Sequence, residues 1–112
     1  MGSVGDGIKA ASASWTFAGD VAKGFDDHVS KSVPLYNEGH QLICELSDFF
    51  VGKDSICYEI GASTGALTQK LAKHNESKAG TRFIGIDIEQ SMVDMANHKA
   101  KDKFTNLEFI AD

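Results

Sequence analysis

The sequence predicts an α/β protein whose C-terminal portion is a parallel sheet flanked by helices. Three observations carry that prediction. From Ser55 onward, short β-forming runs alternate with amphipathic stretches in the order strand, helix, strand, helix, strand. Two glycines, Gly61 and Gly65, punctuate the passage from the first strand to the first helix. The second strand ends on a carboxylate, Asp87. Such alternation implies parallel strands joined by right-handed crossovers.

Each element has a local reason. Residues 1–14 are mostly Gly, Ser and Ala, too poor in large apolar side chains to offset their ordering entropy, and read as a disordered tail or tag remnant. Order is expected to begin near Trp15–Phe17. Residues 15–52 read as an N-terminal helical segment. A short helix is expected over Asp26–Lys31, with Phe25 and Val29 on one face at i, i+4 spacing, and a longer one runs from Pro34 to Phe50. The longer helix carries Leu35, Leu42, Ile43, Leu46, Phe49 and Phe50 near the helical period. Gly52-Lys53-Asp54 turns the chain into residues 53–112, a partial ligand-binding domain. There the predicted strands are Ser55–Ile60, Arg82–Ile88 and Asn106–Ile110. The predicted helices are Thr64–Lys73, with Leu67 and Leu71 inward, and Gln90–Asp102, with Met92, Val93 and Ala96 inward.

Composition bounds the function. A chain of 112 residues holds one domain. A net charge of −5 disfavours binding to nucleic acid through this chain alone, because an acidic surface repels phosphates. No apolar run is long enough to cross a membrane, and the N-terminus has no signal pattern, so a cytoplasmic location is expected. Cys44 and Cys57 lie in apolar contexts without a CxxC spacing. They read as free buried thiols in a reducing compartment, a disulfide or metal site being the alternative. His28, His40, His74 and His98 show no metal-ligand spacing and read as surface or rim residues; no metal is expected. Lys78, Arg82, Lys99, Lys101 and Lys103 read as solvated faces.

The chemistry concentrates in Glu59-Ile-Gly61-Ala62-Ser63-Thr-Gly65. Gly61 lets the backbone turn off the strand end, and Gly65 removes a side chain where helix and ligand approach. The following helix aims free N–H groups at the turn, which suits a carboxylate or phosphate. A dinucleotide fingerprint needs glycine where Ser63 and Ala66 stand, so a nicotinamide-type ligand is disfavoured. Asp87 is placed to accept hydrogen bonds from a ribose diol. It lies farther along than the roughly 20 residues of the dinucleotide arrangement, and the His74–Gly80 loop absorbs the difference. The alternative for the turn is a tight strand-to-helix connection that needs two glycines. For Asp87 it is a solvated strand end, and for Met92 a core position.

The acidic-x-Gly-x-x-x-Gly spacing, with Asp87, Ser91 and Met92 after the second strand, resembles motif I and its partner segment in class I S-adenosylmethionine-dependent methyltransferases. The resemblance implies a Rossmann-like methyltransferase fold cut to about three parallel strands in spatial order 3-2-1. It implies that the turn wraps the methionine part of S-adenosylmethionine, that Glu59 helps orient its amino group, and that Asp112 accepts from the adenine amino group. It puts an apolar side chain, Ile88 or Met92, against the adenine. Ser32-Val-Pro-Leu-Tyr36 before the helix, together with Tyr58–Thr68, looks like the branch of carboxy-S-adenosylmethionine synthases and tRNA uridine-modifying methyltransferases. By that likeness Tyr36 joins Gly61, Ala62, Ser63, Asp87, Ile88 and Asp112 as a ligand contact.

The family's sheet usually has seven strands, so the likeness covers the cofactor-binding half. The acceptor-binding residues are absent, the methyl acceptor is unspecified, and no residue is a credible general base. With nothing beyond the third strand, Ser55–Ile60 is an apolar edge that a homodimer or a missing C-terminal half would cover. The expected function is a methyltransferase-like domain binding S-adenosylmethionine or S-adenosylhomocysteine. The alternatives are a fragment resembling the carboxy-S-adenosylmethionine synthases and a non-catalytic interaction module.

Overall fold

The computed structural model describes residues 21–112, with side chains from residue 24. The tail and the start of order near Trp15 lie outside the described residues. Seven elements follow in order: α1 (Val21–Ser32), α2 (Tyr36–Phe50), β1 (Ile56–Ile60), α3 (Ala66–His74), β2 (Arg82–Asp87), α4 (Gln90–Ala100) and β3 (Leu107–Ala111). The strands form one parallel sheet with β2 between β1 and β3. That is the 3-2-1 order expected.

Register explains the core. Cys57, Phe83 and Leu107 align across the three strands and share a face. There they pack with Cys44 of α2 and with Leu71 and Ala72 of α3. A second cluster forms where Met92 of α4 is covered by Phe25 of α1 and Met95. The opposite face carries Ile56, Tyr58, Ile60 and Ile110, all exposed, Ile60 at 78%. Both cysteines are free, and burial raises the pKa of each thiol. Among the described residues no cluster suits a metal ion and no helix is long and apolar enough to cross a membrane.

Several boundaries move for physical reasons. α1 extends well beyond the short helix expected. α2 begins at Tyr36 rather than Pro34, because Leu35 takes a left-handed conformation (φ 60°) that no helix continues through. α3 begins after Gly65, whose φ of 80° likewise excludes it from the helix. α2 also packs on an unexpected side. His40, Cys44 and Ser47 are buried, while the apolar stripe of Leu42, Leu46 and Phe49 is exposed, Phe49 at 82%. His40 is therefore not a rim residue: it is 8% exposed.

Candidate functional site

The turn after β1 is built from three left-handed residues in alternation, Gly61 (φ 76°), Ser63 (φ 55°) and Gly65 (φ 80°). The N–H groups of Gly61 and Ala62 both donate to the Ile86 carbonyl, at 2.8 and 2.9 Å, and tie the turn to the end of β2. Asp87 then closes it. Its Oδ2 accepts from the Ser63 N–H at 2.8 Å, and its Oδ1 accepts from the Glu89 N–H at 2.9 Å. The Asp112 N–H donates to the Asp87 carbonyl at 2.9 Å, which brings the end of β3 to the same rim. Ile88 stands beside them, 82% exposed.

The two glycines differ in purpose. A Cβ on Gly61 would meet nothing within 4 Å, so the residue is needed for its φ and leaves open space beside the turn. A Cβ on Gly65 would lie 2.6 Å from Phe109 Cε1. Gly65 thus makes room for a core aromatic ring. Ala62 is buried, its methyl close to the backbone of Gly85. Met92 is 1% exposed inside the second cluster, so its side chain is a core residue rather than a platform.

Glu59 points to the sheet face that carries the helices, where the Thr68 hydroxyl donates to its Oε1. Burial is the main reason its carboxyl pKa is raised; the Thr68 hydrogen bonds oppose the shift and the charge of Asp87 adds to it. Tyr36 sits nearby. Burial raises its pKa, and the Asp26 and Glu59 carboxylates raise it further, so its hydroxyl stays protonated. Its ring leans on His40, with centroids 4.2 Å apart. Lys70 Nζ donates to His40 Nδ1 at 2.9 Å, and burial, followed by the Lys70 charge, lowers the His40 pKa.

The structure therefore gathers Tyr36, Glu59, Gly61, Ser63, Asp87, Ile88 and Asp112 around one end of the sheet. Sequence reasoning missed the second row behind them. Thr64 donates its hydroxyl to Asp26 Oδ1, and Lys99 donates to Asp26 Oδ2. Lys99 is thus no solvated lysine. Lys78 is not one either, since its Nζ donates to the Val51 carbonyl and Asn75 Oδ1, both at 2.7 Å. Nothing in the sequence ties Asp26 to Thr64 or Lys99.

A groove of about 650 Å³ lies at the opposite end of the sheet, between Lys78, Arg82, Phe104 and Asn106. In open parallel sheets ligands bind outside the carboxyl ends of the strands, which is where the Gly61–Gly65 turn lies.

Comparison with known proteins gives the family and the fold. Two curated relatives are carboxy-S-adenosyl-L-methionine synthases. The one from Helicobacter hepaticus is 38% identical over 102 residues, covering 84% of this chain and 40% of the relative. The one from Staphylococcus epidermidis is 34% identical over 110 residues, covering 86% and 47%. The chain thus spans less than half the length of the curated relatives it matches. Among solved structures, a putative S-adenosyl-L-methionine-dependent methyltransferase from Methanococcus maripaludis superposes with a TM-score of 0.66 at 21% identity, covering 93% of this chain and 46% of that one. Coclaurine N-methyltransferase, solved with S-adenosylhomocysteine, superposes with a TM-score of 0.56 at 17% identity, covering 67% of this chain and 21% of that one. Those two likenesses establish the fold. The family model described as "Methyltransferase domain" matches residues 53–112, from the turn before β1 to the last residue, and the chain belongs to that family.

Proposed function

We propose that this chain is the cofactor-holding part of a methyltransferase-type enzyme and that it binds S-adenosylmethionine or S-adenosylhomocysteine at the Gly61–Gly65 turn. The observation that carries the reading is the Asp87 carboxylate. It is fixed by two backbone N–H groups, and each oxygen keeps a free acceptor site. A ribose diol fits such a group. Gly61, Ala62 and Ser63 would wrap the methionine part, with the open side of Gly61 admitting it. Glu59 and Tyr36 would orient the amino end, Ile88 would lie on the adenine, and Asp112 would accept from its amino group.

When bound, the ligand supplies a sulfonium that makes its methyl carbon electrophilic. The residues of this chain orient and hold it; among the described residues none is placed as a general base. The share of the relatives' length that this chain spans leaves acceptor choice to other residues. The relatives' name favours a second reading, a portion of a carboxy-S-adenosylmethionine synthase-like enzyme. Ile56, Tyr58 and Ile60 on β1 leave a bare apolar face that a second copy or a further α/β half would cover, and the α2 stripe is exposed as well. Two free thiols support a reducing, cytoplasmic setting.

Isothermal titration with S-adenosylmethionine, S-adenosylhomocysteine and NAD tests the reading. Binding of either sulfur ligand, lost in Asp87→Ala, supports it. Binding of NAD alone overturns it.

A further inference from the structure

We propose that Asp26 is a positioning residue for the ligand-binding turn, so that docking of α1 and occupancy of the turn are thermodynamically linked. The proposal rests on the ligand reading above. Its basis is a pair of carboxylates, from two different elements, that grip consecutive residues. Asp87, at the end of β2, accepts from the Ser63 N–H at 2.8 Å. Asp26, on α1, accepts from the hydroxyl of Thr64, which is 1% exposed. Between Gly61 and Gly65 the backbone is not in its default shape: Ser63 has a φ of 55°, a region that a side chain disfavours. A turn held in that form needs outside contacts, and these two supply them.

The other oxygen of Asp26 accepts from Lys99 of α4. That ion pair ties α1 to α4, and the Thr64 contact is the one that reaches the turn. Phe25 packs on Met92, and residues Val33–Leu35 join α1 to α2, with Leu35 in a left-handed conformation. Asp26 also acts on the Tyr36 hydroxyl, together with Glu59. A ligand that requires the present shape of the turn therefore gains affinity from α1, and reciprocally holds α1 in place.

Two readouts test this. Titration with S-adenosylhomocysteine is expected to show Asp26→Ala and Thr64→Val each weakening binding roughly tenfold, about the loss of one charge-assisted hydrogen bond. The double variant should be no worse than either single one. Thr64→Ser, which keeps the hydroxyl, should restore most of what Thr64→Val loses, whereas Lys99→Met should change the Kd less than threefold despite a lower Tm. Additive losses, or a Lys99→Met effect equal to that of Asp26→Ala, would make Asp26 a plain helix anchor and overturn the proposal. Amide hydrogen exchange without ligand is the second readout. Exchange over residues 61–65 should rise in Asp26→Ala, and in Thr64→Val if the former folds poorly, while Phe83–Ile86 stays protected. An unchanged turn overturns the proposal whatever the ligand does. A wild-type chain that binds no S-adenosylhomocysteine but shows the exchange change refutes the ligand reading and leaves the positioning role standing.

Discussion

The ring of Phe109 occupies the space that a side chain at Gly65 would need: a Cβ there would lie 2.6 Å from Phe109 Cε1, and 2.6 Å separates Phe109 Cδ1 from a Cβ at Gly85. One aromatic side chain of β3 thus requires glycine at the start of α3 and in the middle of β2. The ring reaches the turn only because both neighbours lack side chains.

Gly65→Ala should therefore destabilise the fold. It adds a left-handed alanine, which costs about 1–2 kcal/mol, and overpacks the ring, which costs about 1–3 kcal/mol. The expected sum is about 2–5 kcal/mol in urea unfolding. Trimming the ring with Phe109→Leu in the same chain should recover part of the packing loss but none of the φ strain. Strict additivity of the two changes would refute the contact.

Glu59→Gln separates stability from binding. The raised pKa of Glu59 means that the folded state favours its protonated form. The contribution it makes is full below the ordinary carboxylate range and is lost as pH rises through the folded value. Glutamine keeps an oxygen to accept from Thr68 without a charge to bury. The variant should equal or exceed the wild-type Tm at pH 7, with the gap closing toward pH 4, while S-adenosylhomocysteine binds roughly tenfold more weakly. A variant that melts lower at pH 7 would count against a burial cost at Glu59.

His40 has the opposite sign. Its pKa is lowered, chiefly by burial and then by Lys70, so the folded state favours the neutral ring. That contribution is present above the unfolded value near 6.5 and is lost as pH falls through the folded value. Thermal melts between pH 7 and pH 5 should show a decline in the wild type that is shallower in His40→Gln. Identical slopes would mean that the ring titrates freely.

The bare face of β1 predicts association. At high concentration the chain should sediment heavier than a monomer, and Tyr58→Lys with Ile60→Lys should weaken that association at least roughly tenfold by placing two charges on the contact. A clean wild-type monomer, or a heavier species indifferent to the lysines, would remove β1 as the contact.

The sheet was legible because its strands are short β-forming runs set between turn residues, and Asp87 because it ends such a run. The turn was legible from its glycines, although only coordinates separate their purposes: Gly61 is required by its φ, Gly65 by a ring that comes from 44 residues further on in sequence. The sidedness of α2 was not legible. Periodicity finds the stripe of Leu42, Leu46 and Phe49 but cannot say that His40, Cys44 and Ser47 are what meets α3. Asp26 was beyond reach for a similar reason, since its partners Thr64 and Lys99 are brought to it only by tertiary packing.

Both oxygens of Asp87 are engaged by the protein's own amides before any ligand arrives. The carboxylate is therefore a fixed ruler rather than a searching arm. Its rotamer freedom is surrendered during folding, so little of it remains to be lost on association. A hydroxyl that finds its remaining acceptor sites meets a target whose direction is already set, and for a ligand with its hydroxyls at another angle this carboxylate does not swing to meet it.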